Sequence, residues 1–155
     1  MENIVFDTGT REYRINGGAI LRFNPSDPNL FMRFLQGADK VTALETELTA
    51  RFGMLQSTNT PENRTAAMLE IMGETDKALK TLLTEIFGGE NDFHQILSGI
   101  NLLAVAGNGQ RVITNLLQCL QPILVEGAEA YADAKAEDAL AQANARRADQ
   151  GGVGQ

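Results

Sequence analysis

Two segments of the chain each open on a capping residue followed by proline, and this repeated start constrains everything that follows it. Asp27-Pro28 and Thr60-Pro61 place a side-chain oxygen where it can accept from exposed backbone N–H groups. They also put at the first helical position the one residue with no N–H to lose. After Pro28, apolar residues recur at Leu30, Phe31, Phe34, Leu35, Ala38, Val41, Leu44, Leu48 and Phe52. Spacings of three and four predict a helix with one buried stripe, stopped by Gly53, with Gly37 a weak point inside it. After Pro61, Met68, Ile71, Met72, Ala78, Leu79, Leu82, Leu83, Ile86 and Phe87 mark a second long helix, ended by Gly88-Gly89. The polar link Gln56–Thr60 is short, so the two helices are expected to lie antiparallel as a hairpin.

The chain before Asp27 has a different period. Ile4-Val5-Phe6 are strand formers, and Asp7-Thr8-Gly9-Thr10 is turn chemistry. Glu12-Tyr13-Arg14-Ile15 alternates polar and apolar, Asn16-Gly17-Gly18 is a hairpin signal, and Ala19–Phe23 reads as a further strand. A three-stranded β-meander over about residues 3–23 is predicted, with the helices covering its apolar face.

Beyond Gly89, Asn91 is placed to cap a short helix carrying Phe93, Ile96 and Leu97 and ending near Gly99. Ile100–Ala106 is nearly all apolar and reads as either a buried helical turn or a buried strand, with helix favoured. Gly107-Asn108-Gly109 is a tight turn. A last helix begins near Gln110, with its stripe at Val112, Ile113, Leu116, Leu117, Leu120, Ile123 and Leu124, and Pro122 is expected to kink it. Past Gly127 the character changes: residues 128–148 hold ten Ala, with Tyr131 and Leu140 the only larger apolar groups. Alanine favours helix but buries little area, so this stretch reads as an extension projecting from the core and fraying into a flexible tail. The expected architecture is α+β and mostly α. A single domain spans 1–127, with a β-meander packed on two long antiparallel helices and a kinked C-terminal helix, and 128–155 form the extension.

Little in the sequence suggests chemistry. The chain of 155 residues carries 20 acidic and 13 basic side chains, a net charge of −7, which disfavours phosphate backbones and anionic membrane surfaces. No basic leader precedes an apolar stretch at the N-terminus, and no apolar run approaches the roughly 20 residues a membrane helix needs. Cys119, the single cysteine, reads as a thiol near the core of the last helix. His94, the single histidine, lies near Glu90 and Asp92, a group better read as an acidic helix start than as a metal site. Gly107–Arg111 resembles a fragment of a phosphate-binding loop but lacks the glycine fingerprint and the Lys-Ser/Thr. The carboxylate pairs Glu45/Glu47, Glu126/Glu129 and Glu137/Asp138 fall mostly on expected solvent faces. The expectation is a protein without catalytic residues, metal or cofactor, acting in a bacterial cytoplasm by binding proteins and not nucleic acid or membrane. Its partner-binding residues are expected to be Leu120, Ile123, Leu124, Tyr131 and Leu140. For residues 128–148 a solvated tail and a docking helix, packed on a partner or on a second copy, both stand.

Three stretches carry a resemblance: Phe6–Gly18 followed by Arg22–Asn29; Phe87-Gly88-Gly89-Glu90-Asn91-Asp92-Phe93; and Asn101–Asn115, containing Gly107-Asn108-Gly109-Gln110-Arg111. Together they resemble a family of small proteins from phages and prophages of Gram-positive gut bacteria. The layout is similar to siphophage tail assembly chaperones, with a short β region, a strand leading through Pro-Ser-Asp-Pro into a helix, a helical body and a Phe-Gly-x-x-Asn element. The resemblance implies binding to tape measure and tail tube proteins during tail assembly and transfers no catalytic residue. A structural tail or head-tail connector protein of the virion, and an inhibitor of a bacterial immune protein, are the alternatives.

Overall fold

The computed structural model of the protein describes residues 1–56 and 60–153. Residues 57–59 of the polar link and the tail residues 154–155 lie outside the described residues. The element order is β1 (Arg11–Arg14), β2 (Ile20–Phe23), α1 (Pro28–Leu55), α2 (Pro61–Phe87), α3 (Phe93–Ile96) and α4 (Val112–Val153), an α+β chain dominated by helix.

β1 and β2 pair antiparallel with Arg11 opposite Phe23 and Arg14 opposite Ile20. Asn16 and Gly17 take the positive φ values of 49° and 73° that turn the chain between them. The expected third strand is absent: among the described residues the sheet has two strands. Ile4, Val5 and Phe6 stand 85, 83 and 74% exposed, outside any strand. The Asp7 carboxylate accepts from Gly9 N–H at 2.8 Å, and Asn24 Nδ2 donates to the Thr8 carbonyl at 3.1 Å. These bonds tie residues 7–9 to the Asn24 end of the ribbon. Strand propensity makes no ladder when the chain is not folded back along an edge.

Both Pro starts form as expected. Asp27 accepts from Asn29 N–H, Thr60 accepts from Asn63 N–H, and each proline occupies the first turn. α1 and α2 run antiparallel, linked near one end by Arg33 Nε donating to the Ile86 carbonyl (2.9 Å) and further along by the Arg51–Glu74 ion pair (2.9 Å). Gly37 is a contact point: a Cβ there would collide with Ile86. α1 does not stop at Gly53 but continues to Leu55, because Phe52 and Leu55 on either side of it pack against the core.

The β-ribbon is fastened over the end of this hairpin by Asn91. Its Nδ2 donates to the carbonyls of Arg22 (2.7 Å) and Phe87 (2.9 Å), and its Oδ1 accepts from Arg22 N–H (2.9 Å). Asn91 is buried, and α3 is capped by the next residue, Asp92. A run of ring contacts, Tyr13–Phe23, Phe23–Phe87 and Phe87–Phe93, with centroids 4.6 to 5.6 Å apart, carries the same connection through the core.

Ile100–Ala106 is neither the helix favoured from sequence nor a strand, apart from an isolated bridge between Val105 and Arg111. Its backbone is committed elsewhere. Leu102 N–H donates to Asp76 Oδ1 at 2.8 Å, and the Leu102 and Ala104 carbonyls accept from Ile113 and Val112 N–H, both at 2.9 Å. The second Asp76 oxygen accepts from Lys80 Nζ at 2.9 Å, one helical turn on, and both side chains are nearly sealed from solvent. One carboxylate thus satisfies a buried ammonium and orders the loop from which α4 starts.

α4 begins at this loop, beside the middle of α2, and reaches the N-terminus of α1 at Gly127, so it runs antiparallel to α1. Ile113, Leu120 and Leu124 are buried in the shared core. The helix continues across Pro122, which with Gln118 faces solvent, where water can take the hydrogen bond the proline forfeits. Removing the two polar fasteners should be costly. Asn91→Ala should lower unfolding free energy by about 1–3 kcal/mol, the range for stranding a buried backbone group. Asp76→Ala should cost about 3–5 kcal/mol, because it leaves Lys80 buried and unpaired. Urea denaturation followed by circular dichroism reads both.

Candidate functional site

The five residues expected to bind a partner divide among three environments. Leu120 and Leu124 are 3% and 0% exposed, so they are core residues, which corrects their assignment to a binding surface. Ile123 is partly buried against that core. Tyr131 is 38% exposed, with Lys135 Nζ 5.9 Å from its ring centroid. Leu140 is 61% exposed. At about 100° per residue, Tyr131 lies within roughly 20° of the Leu120 direction and Leu140 roughly 200° from it. The stripe that buries Leu120 and Leu124 therefore emerges at Tyr131 once α4 passes the end of the domain, and Leu140 points the other way.

The transition falls at Gly127. A Cβ at this position would strike the carbonyl of Pro25, so glycine is what lets α4 pass directly over the β2–α1 connection. This crossing leaves a cleft on each side of the helix. One, of about 260 Å³, lies between β1 and α4 and is lined by Arg11, Tyr13, Pro25, Ile123, Glu126 and Ala130, among others. The other, of about 210 Å³, lies between α4 and the first turn of α1 and is lined by Pro28, Phe31, Met32, Ala128 and Tyr131 with the Ser26-Asp27 backbone entry. The second is the more apolar, and Met32 in its lining and Leu35 further along α1 are both exposed.

Beyond the clefts α4 stands away from the body. From Glu129 to Ala148 every residue but Ala143 is exposed, a length of about 30 Å at 1.5 Å per residue. Glu129, Asp133, Glu137 and Asp138 lie towards its root and Arg146-Arg147 towards its far end. This order complements the helix dipole only at the C-terminal side. The larger apolar side chains beside the second cleft and along the extension are Phe31, Met32, Tyr131 and Leu140. Sequence reasoning missed the contributions of Arg11, Tyr13, Pro25, Phe31 and Met32, which become neighbours of α4 only through the crossing at Gly127. The lone glycine at the start of an alanine-rich helix was the available signal.

Local hydrogen bonds occupy the start of α3 and the Gly107–Arg111 turn. Asp92 Oδ1 accepts from His94 N–H at 2.9 Å, capping α3, while His94 Nε2 lies 3.4 Å from Thr81 Oγ1. Among the described residues no three His, Cys, Asp or Glu side chains are grouped to hold a metal ion. In the Gly107–Arg111 turn, Gly109 N–H donates to Ala106 carbonyl and Gln110 N–H to Asn108 Oδ1. The first N–H groups of α4 are taken by the loop carbonyls, so they are not free for an anion. Asn108 and Asn115 close the turn with reciprocal side-chain bonds. Cys119 is exposed, not near the core, because it sits one residue, about 100°, off the Leu120 stripe. No helix among the described residues is long and apolar enough to cross a membrane.

No protein-family model, curated protein or solved structure matches the chain.

The division of the α4 residues gives a contrast in stability. Leu124→Ala should cost about 2–5 kcal/mol, as cavity-forming core truncations do. Leu140→Ala should change stability by no more than about 0.5 kcal/mol. Thermal unfolding of the two variants beside wild type measures the difference.

Proposed function

We propose that this protein is a non-catalytic binding factor of phage morphogenesis, a tail assembly chaperone that holds tape measure and tail tube proteins through α4 and the cleft at its root. The observation that carries the reading is the exposure of α4 from Glu129 to Ala148. A helix of this length, exposed around its circumference, gains almost nothing from packing within its own chain, and most helical stability in proteins comes from packing. Its alanines permit close approach of a second helix, and Tyr131 beside Phe31 and Met32 supplies an apolar seat of the kind that takes one face of an amphipathic helix. A tape measure protein, long and helical, offers such faces. Transient engagement suits a surface with few large anchors, since a few buried aromatic and aliphatic groups carry most of the energy of an interface.

Co-expression of the affinity-tagged full chain with the tape measure and tail tube proteins of its own genome tests the reading. The expected outcome is co-purification of the tape measure protein, weakened at least about tenfold, or 1.4 kcal/mol, by the pair Tyr131→Asp and Leu140→Asp. The chaperone should also be missing from purified particles by mass spectrometry. Capture of neither protein would end the proposal. Presence in particles in many copies would reassign the protein as a structural component of the tail or connector.

A further inference from the structure

Ile4-Val5-Phe6 is the largest run of exposed apolar side chains among the described residues: three consecutive strand formers at 85, 83 and 74% exposure. It lies in the same molecule as an open sheet edge. Both backbone groups of Arg22 are used by Asn91, on the side of β2 away from β1. In an antiparallel pair, directly opposed residues point their N–H and C=O groups either both towards or both away from each other. Glu12 is opposite Arg22, so its backbone groups, and those of Arg14 two residues on, point out from β1 on the other edge. No backbone partner meets them there among the described residues. Such an edge is a template for a further strand.

The cleft between β1 and α4 lies beside this edge. Arg11 and Tyr13 line it from β1, Ile123, Glu126, Gly127 and Ala130 line it from α4, and no residue of β2 does. A strand added to β1 would lay alternate side chains into this cleft and the others outward. The segment Glu2–Asp7 has the matching pattern. Ile4 and Phe6 fall on one side of an extended chain, Val5 on the other, and the triad is flanked by the acids Glu2 and Asp7. The acceptor is flanked by the bases Arg11 and Arg14. In a parallel pair with Ile4 opposite Arg11 and Phe6 opposite Tyr13, Asp7 falls opposite Arg14 and Glu2 lies two residues beyond Arg11 on the same face, so opposite charges come together at both ends of the added strand. The segment does not reach this edge within its own chain, because the Thr8 carbonyl accepts from Asn24 at the end of the ribbon and Asp7 closes the turn onto Gly9.

We infer that the segment Glu2–Asp7 of a second copy adds to the β1 edge, with Ile4 and Phe6 seated in the cleft between β1 and α4. Each copy carries one donor and one acceptor, so reciprocal exchange closes a two-fold dimer. The third strand expected from the sequence then forms between chains. This pairing is separate from the proposed binding of tail proteins, which uses the opposite side of α4 and its outer stretch, and it is read on the isolated protein with no phage partner present.

The test is light scattering on the full chain after size exclusion, at a concentration of about 100 μM, enough to populate a dimer of low-micromolar affinity. Wild type is expected at twice its 16.8 kDa mass. The double variant Ile4→Asp with Phe6→Asp changes only exposed side chains and is expected to be monomeric with an unchanged circular dichroism spectrum. In a Cys119→Ser background, mixing a Phe6→Cys chain with an Ile123→Cys chain should give a disulfide-linked heterodimer on mild oxidation. A monomeric wild type would overturn the inference. So would a dimer that survives the double variant, particularly one lost instead on deleting residues 128–155, which would place self-association on the α4 extension.

Discussion

The carboxamide of Asn91 holds the β-ribbon to the helical hairpin, and the rest of the surface architecture follows from that attachment. A two-stranded ribbon is marginal on its own. Here the backbone of Arg22 is paired on its outer side by a side chain, and the same amide group ties the last carbonyl of α2. The ribbon is fixed in position, Phe23 is set between Tyr13 and Phe87, and β1 is left as the free edge facing α4. Without this fastening there would be no defined cleft beside the last helix.

A second buried polar group sets where that helix begins. Asp76 faces Lys80 on one side and the Leu102 N–H on the other. Buried ion pairs are weak sources of net stability, but removing one partner strands the other charge. Here the pair fixes one conformation of an apolar segment whose composition admits a strand as well as the favoured helix. The loop in turn supplies carbonyls to the first N–H groups of α4, so the helix is started by the tertiary fold and not by a capping side chain.

These two fasteners aim α4 across the N-terminus of α1, and Gly127 lets it pass without lifting away. The consequence is a change of role along one continuous helix. The stripe that closes the core at Leu120 and Leu124 becomes, a few turns later, an exposed surface at Tyr131. An exposed surface of this kind needs no separate domain. It arises where a helix outlasts the body it packs on.

The sequence by itself determined the long helices, their capped proline starts, the Asn16-Gly17 hairpin and the change of character after Gly127. These depend on local chemistry: side-chain oxygens near orphan N–H groups, proline at the first turn, positive φ at a tight turn and a period of three and four. Tertiary structure decided the rest. Ile4–Phe6 had strand propensity, but the bonds of residues 7–9 withheld an edge. Ile100–Ala106 had the right apolarity for either regular element, but Asp76 and α4 claimed its backbone. Leu120, Leu124, Tyr131 and Leu140 looked alike as apolar points on one helix, yet only the place where the body ends separates core from surface. Gly37 read as a weak point and Gly127 as a boundary in sequence, because local pattern does not say which distant chain segment approaches a glycine closely. Period and propensity are properties of neighbours along the chain, whereas burial, edge pairing and contact across a glycine depend on residues tens of positions away.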